Sequence, residues 1–324
     1  MSKQEHLPHQ HPQILKDIDL PAELGLTRLE SGKVREKYLG PNGELILIAT
    51  DRVSAFDRVI TTIPYKGQVL TQMSKFAFEN TQDIVPNHLI AIPDPNVMVV
   101  RNLEPFPLEV IIRDYMTGST STSIWTMYSQ GKREMYGYFF RRGYRKNEKL
   151  DETIVTPTIK AAFGDHDRPL NREEEVQLEI IIELTQLAYI KSLALFARGK
   201  EIAADKGFIL VDSKFEWGSD EYLRVMDELF TPDSSRYWRA DTYKRRFLFG
   251  LEPDMHDKEL LRLWLVSQGY KGEGKVPPVP KDVRRALSEV YIELCEDITG
   301  EPVVISGEPI KERIIKNIRT YLNK

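Results

Sequence analysis

Between residues 27 and 60 apolar and polar positions alternate with period two, the pattern of half-buried strands. VREKYLG (34–40), a Pro41-Asn42-Gly43 turn and ELILIAT (44–50) predict a β-hairpin. The period then lengthens: Val69, Leu70, Met73, Phe76 and Ala77 fall on one side of a helix over 67–82. VMVVR (97–101) and LEVIIRD (108–114) predict strands, and Pro105 and Pro107 between them predict an irregular connection. Residues 119–131 read as a helix and 132–170 as a polar, irregular stretch. A long core helix is expected over 178–197, with Asn171 as a cap and Glu173, Glu174 and Glu175 as an acidic first turn. FILVDSKFEWG (208–218) and YLRVMDELF (222–230) predict a second hairpin. Helices follow over 256–268, 281–299 and 309–323, with GEGKVPPVP (272–280) as an exposed linker.

A strand-rich first third and a helix-rich remainder predict an α+β fold, with a small β-rich lobe set on a larger α+β lobe. The boundaries fall at an N-terminal arm (1–24), a small lobe (25–105) and a larger lobe (106–324). A cleft between such lobes is a usual ligand site. The 324 residues carry 45 Lys and Arg against 49 Asp and Glu, so the net charge of −4 gives no bulk attraction to nucleic acid or membranes. Glu179, Glu183 and Lys191 interrupt the longest apolar tract, which argues against a membrane span. The single cysteine, Cys295, rules out a disulfide framework and fits a reducing, cytoplasmic setting.

Five stretches carry chemistry. In 208–218, alternation puts Ile209, Val211, Ser213, Phe215 and Trp217 on one face and Asp212, Lys214 and Glu216 on the other. Asp227 and Glu228 follow on opposite faces of the return strand. Such a row fits a solvated face with cross-strand ion pairs; it also fits a Mg²⁺ and anion site, since Mg²⁺ takes one or two carboxylates plus phosphate oxygens. In SGKVREKY (31–38), Gly32 permits close approach, and Lys33 and Arg35 project to one face, as a polyphosphate would require. ATDRVSAFD (49–57) opens a strand end into Asp51, Arg52, Ser54 and Asp57. RDYMTGSTSTS (113–123) combines Arg113 with a helix start at Ser119, which suits phosphate binding or simple capping. TPTIKAAFGDHD (156–167) gathers Lys160, His166 and Asp167.

Together and in this order, GKVREKY, ATDRVSAFD, IPYKGQVLTQMS, RDYMTGSTSTSIW, TPTIK with HD after it, VDSKFEWG and ELFTPDSSRYW resemble the SAICAR synthetase family. The resemblance spans about residues 25–300. It implies an ATP-dependent ligase of purine synthesis that joins L-aspartate to carboxyaminoimidazole ribotide (CAIR), with Mg²⁺, on a small ATP-binding lobe and a larger lobe. It further implies a phosphate-contacting pair at Lys33 and Arg35 beside Gly32, and a lysine at the reacting carboxylate at Lys214. Mg²⁺ would fall to Glu216 and Asp227, and the ribotide phosphate and its surroundings to Arg113, Ser119 and Arg236. The ribotide and aspartate pocket would include Ser54, and the adenine edge would meet the backbone at Met98 and Val99. The base that takes the amine proton is open among Asp51, Asp57 and Asp167. YFFRRGYR (138–145) departs from the family's usual turn, so no site is assigned over 136–147. Partners are then small molecules, with no nucleic acid and no membrane, and the oligomeric state stays open. Two rivals share these residues: a small-molecule kinase, and a nucleotide-binding protein without catalysis.

Overall fold

LILIA and VMVV become adjacent strands of the first sheet. The structure, a computed structural model, describes residues 13–159, 168–169 and 182–324. The chain runs through β1 (Thr27–Arg28), β2 (Arg35–Leu39), β3 (Leu45–Ala49), the hairpin β4 (Arg52–Ala55) and β5 (Arg58–Thr62), helix α1 (Lys66–Glu79), β6 (Leu89–Asp94) and β7 (Val97–Val100). The first sheet has the order β1-β2-β3-β7-β6 and is antiparallel. Alternation gives it two apolar faces. Leu47, Met98 and Val100 face α1 and the main core. Tyr38, Ile46, Ile48, Val97 and Val99 face a second cluster, closed by Leu15 and Ile18.

The second sheet is built on β8 (Glu104–Met116). After it come α2 (Ile124–Ser129), the short pair β9 (Glu134–Met135) and β10 (Tyr138–Phe139), β11 (Glu148–Ile159) and β12 (Arg168–Pro169). Helix α3 (Ile182–Asp205) lies across β8 and β13 (Phe208–Ser219). The Trp217 indole N–H donates to the Ser192 hydroxyl at 3.1 Å and so ties sheet to helix. Then come β14 (Leu223–Met226) and β15 (Ser235–Arg239), both paired with β13. The sheet order is β12-β11-β8-β13-β14. Helices α4 (Ala240–Leu248), α5 (Glu259–Ser267), α6 (Lys281–Thr299) and α7 (Ile310–Leu322) complete the chain. Ile314 and Ile318 of α7 fill the second cluster against the first sheet. Arg313 anchors that helix, donating to Asp94 at 3.0 and 3.2 Å and to Asn96 at 2.6 Å. Among the described residues no helix is long and apolar enough to cross a membrane.

Several expectations need correction. Pro105 and Pro107 do not break the chain but lie inside β8, where the prolines are exposed and Phe106 turns inward. Residues 148–159 are not irregular: they form β11, in which buried Ile154 lies between partly exposed Thr153 and Val155 and the run Thr156 to Thr158 is buried. The return strand after β13 stops at Met226, because Asp227 and Phe230 adopt φ of 65° and 56°. A bulge between Leu210 and Asp212 reverses the facing of β13. Ile209 and Val211 therefore pack with Tyr115, Trp238 and Met255, while Phe215 and Trp217 stay in the main core. The expected cap Asn171 and acidic turn 173–175 lie outside the described residues.

Candidate active site

The register of β8 against β13 fixes the first half of the site. Asp212 stands opposite Arg113, Lys214 opposite Ile111, and Glu216 opposite Glu109. The Lys214 ammonium donates to Glu109 at 2.8 Å and also to Glu216. Burial disfavours its charge, but Glu109, Glu216 and Asp227 outweigh burial and raise its pKa.

The small lobe supplies the second half. Arg35, at the start of β2, donates to both Asp227 and Glu228, the latter at 2.8 Å. Those two acids were expected on opposite faces of a strand; the left-handed backbone at Asp227 instead brings both to one guanidinium. Burial opposes the Arg35 charge, and Asp227, Glu228 and Glu216 overcome it. The 33–35 and 214–228 ribbons thus meet in one place. Lys33 and Arg35 do not share a strand face, since β2 begins only at Arg35. Lys33 instead reaches Asp57 at 2.8 Å. Asp57 sits at the tip of the β4–β5 hairpin, whose turn residues Phe56 and Asp57 are both left-handed, and Ser54 lies on the same hairpin. Gly32 has room beside it, with only ordinary contacts for an added Cβ.

Met98 and Val99 do not offer a backbone edge. Both are buried in β7, a strand flanked by β3 and β6, so its backbone serves the ladder. Asp51 is also removed from the reacting groups: its carboxylate accepts from the Leu15 N–H at 2.8 Å and the Gly67 N–H at 3.0 Å. Burial pushes its pKa up to about 6 against those two hydrogen bonds. Gly67 is required there, because a Cβ would collide with the Ala49 carbonyl. Lys160, His166 and Asp167 lie outside the described residues.

A third group surrounds Arg113. Its guanidinium donates to Thr156 Oγ1 at 2.9 Å and Asp212 at 3.2 Å. Burial lowers its pKa against the pull of Asp212. Arg236 on β15 donates to the same Asp212 and to Glu259 at 3.2 Å. Glu259 also receives Arg262 at 3.0 Å, and Ser119 lies beside it. Three guanidiniums thus meet Asp212 and Glu259, with Asp257 a further acid near Arg236. The cap of α2 is Ser123, which accepts from the Thr126 N–H, rather than Ser119. Gly118 has φ +107° and stands so close to Ser123 that a Cβ would lie 2.5 Å from the Ser123 Cβ.

Sequence reasoning passed over several residues here. Glu109 was legible, since alternation sets it on one side of its strand with Ile111 and Arg113. Glu228 and Glu259 needed the turn and the tertiary fold. His88 is buried against Phe78, and burial followed by Arg35 pushes its pKa down to about 3, so it is neutral. Lys66, buried on α1, pairs with Asp233 at 2.8 Å.

The whole set can be compared with known proteins. A family model described as SAICAR synthetase matches residues 28–279. The chain belongs to the SAICAR synthetase family. Curated relatives named phosphoribosylaminoimidazole-succinocarboxamide synthase include one from Legionella pneumophila, 47% identical over 304 residues and covering 90% of this chain and 94% of its own. One from Bacteroides thetaiotaomicron is 44% identical over 315 residues, covering 95% and 98%. Among solved structures, the Saccharomyces cerevisiae SAICAR synthase complexed with SAICAR aligns with a TM-score of 0.71 at 30% identity, covering 88% of this chain and 98% of that one. A SAICAR synthetase (Type-2) in complex with ADP aligns with a TM-score of 0.64 at 25% identity, covering 85% and 98%. The fold expectation of an α+β SAICAR synthetase holds. The chain is an ATP-dependent ligase that forms SAICAR in purine biosynthesis, and the kinase alternative is not favoured.

Proposed function

We propose that the chain joins L-aspartate to the CAIR carboxylate through an acyl phosphate, in the cytoplasm, with the residues above in the following roles. A carboxylate is inert to amines at neutral pH, so it must first be activated. One ribotide carboxylate oxygen attacks the γ-phosphorus of ATP, and the bond to ADP breaks. The aspartate amine then attacks the acyl carbon, a C–N bond forms, and inorganic phosphate leaves with the bonding electrons. The amine proton passes to a base, for which Asp57 and Asp167 are the candidates. No covalent bond to the enzyme is needed.

Positioning and charge neutralisation are then the enzyme's main work. Lys214 holds the reacting carboxylate beside the phosphates, and Lys33 and Arg35 offset their charge on the small-lobe side next to Gly32. Arg113, Arg236 and Ser119 hold the ribotide phosphate, and Ser54 borders the ribotide and aspartate pocket. The small β-rich lobe (25–105) takes the nucleotide and the remainder (106–324) the other substrates. Glu109, Glu216, Asp227 and Glu228 are hard oxygen donors and outnumber Lys214 and Arg35. That surplus fits Mg²⁺, held by Glu216 and Asp227. When bound, the ion neutralises charge on the phosphate oxygens.

The observation that supports this reading best is the meeting of Arg35 with Asp227 beside the Lys214–Glu216 pair. The test is ADP release with CAIR present, with and without L-aspartate. Aspartate-dependent turnover is expected, and ¹⁸O from the CAIR carboxylate should appear in the released phosphate. ADP formation with a stable phosphorylated ribotide, or unlabelled phosphate, would reject it.

A further inference from the structure

The motif IPYKGQVLTQMS opens α1 on a lysine with no assigned role. Lys66 is fully buried, and lysines are rarely buried without a partner. Its ammonium crosses from the small lobe to Asp233, 2.8 Å away. The same carboxylate accepts from the Tyr291 hydroxyl of α6 at 2.8 Å and lies 3.6 Å from Lys258, just before α5. Asp233 begins the turn that carries the site. The next carbonyl, of Ser234, accepts from the Lys214 N–H at 2.9 Å. The Ser235 hydroxyl meets that of Ser213 at 2.8 Å, and Arg236 then enters the proposed phosphate pocket.

The chain leading into this turn is strained. Asp227 and Phe230 are left-handed without being glycine. Such backbone persists only where its surroundings over-determine it. Arg35 holds the segment at Asp227 and Glu228, and Lys66 holds it at Asp233. Both cations come from the small lobe, but only Arg35 borders the reacting groups.

We infer that Lys66 is a positioning residue: through Asp233 it sets the 231–236 turn, and with it the Arg236 guanidinium and the backbone of Lys214. The inference rests on the ribotide-site reading given above. A second property follows from the same cluster. Lys258 faces Asp233, Arg262, Lys66 and Glu228. Burial, with repulsion from Arg262 and Lys66, pushes its ammonium down to about 8 against the attraction of Asp233 and Glu228.

The experiment is steady-state kinetics of Lys66→Met and Tyr291→Phe with CAIR, L-aspartate and MgATP, alongside melting and far-UV circular dichroism. Lys66→Met should lower kcat/KM for CAIR by about thirtyfold, chiefly through KM, as expected for losing one charge-assisted contact. The KM for ATP should change by less than about twofold. Tyr291→Phe, which removes a neutral donor from that charged carboxylate, should lose about tenfold in the same direction. A folded Lys66→Met with wild-type CAIR kinetics overturns the inference. So does an equal loss toward all three substrates. If Lys66→Met does not fold, Tyr291→Phe decides: a selective CAIR defect supports the inference and wild-type kinetics overturn it. A wild-type enzyme without aspartate-dependent turnover rejects the functional reading and this inference together. A defect confined to the variants bears on Lys66 alone.

Discussion

Arg35 and Glu228 meet at 2.8 Å across 193 residues of chain. One guanidinium from the small lobe thereby holds the start of a strained segment of the larger lobe. Removing it takes from Glu228 and Asp227 the guanidinium that donates to them, and leaves Glu228 only the Lys66 and Lys258 charges. Arg35→Ala is expected to destabilise the fold by about 3–5 kcal/mol, the usual result of breaking a buried pair from one side. Urea unfolding followed by tryptophan fluorescence measures it, since Trp217 and Trp238 are fully buried.

Glu216 and Asp227 are the proposed metal ligands. Glu216→Gln and Asp227→Asn keep size and remove charge. Each should lower kcat on the order of a hundredfold and raise the Mg²⁺ concentration needed for half-maximal rate. A Glu216→Gln enzyme with near wild-type rate and Mg²⁺ dependence would show that the assignment is wrong.

Arg113→Gln should act differently. It bonds Thr156 on the neighbouring strand, and it is one of three guanidiniums in the proposed phosphate pocket. The KM for CAIR should rise by about ten- to a hundredfold, with KM for ATP little changed, as expected for a lost charge-assisted phosphate contact. Initial-rate kinetics separate the two constants.

Two acids near that pocket titrate in opposite directions. Burial raises both, but Arg236 and Arg262 bring Glu259 from 4.5 down to about 2. For Asp257 burial prevails over Arg236 and two backbone N–H bonds, and the pKa goes from 3.8 up to about 7. Glu259 therefore stabilises the fold fully above pH 4.5 and loses its contribution as pH falls toward 2. Asp257 contributes below pH 3.8, and its contribution disappears as pH rises through 7. Each changes stability by at most about 1.4 kcal/mol per pH unit within its window. Calorimetric melting against pH should show Glu259→Gln flattening the acid limb. Asp257→Asn should flatten the decline toward neutrality.

Cys295 is buried on α6, and burial raises its thiol pKa. Iodoacetamide should leave the native protein unmodified and alkylate it only after denaturation. Cys295→Ala should keep kcat and cost about 1 kcal/mol of stability.

How much of this was legible depended on the range of each interaction. The row Asp212, Lys214 and Glu216 could be read because period-two alternation opposes it to Phe215 and Trp217. Arg113 and Arg236 needed only their motifs. The bulge at 210–212 and the left-handed turn at Asp227 carry no glycine, so no local signal announced that the strand would reverse or end. β11 was hidden because the charges of EKLDE mask its buried Leu150 and Ile154. Met98 and Val99 came from the family resemblance, carried over by position, which does not tell an edge strand from a central one. Lys66 resembles any solvated lysine at a helix start until the fold brings Asp233 to it.

One more property follows from α7 lying over the first sheet with Leu15 and Ile18. During synthesis the strands of the first sheet leave the ribosome long before residues 310–322 exist. Until then Ile46, Ile48, Val97 and Val99 have no lid, and this sheet cannot reach its final packing in the usual N-to-C order. A premature stop that removes only the last helix would spare every proposed catalytic group and still leave the nascent chain prone to aggregate or be degraded.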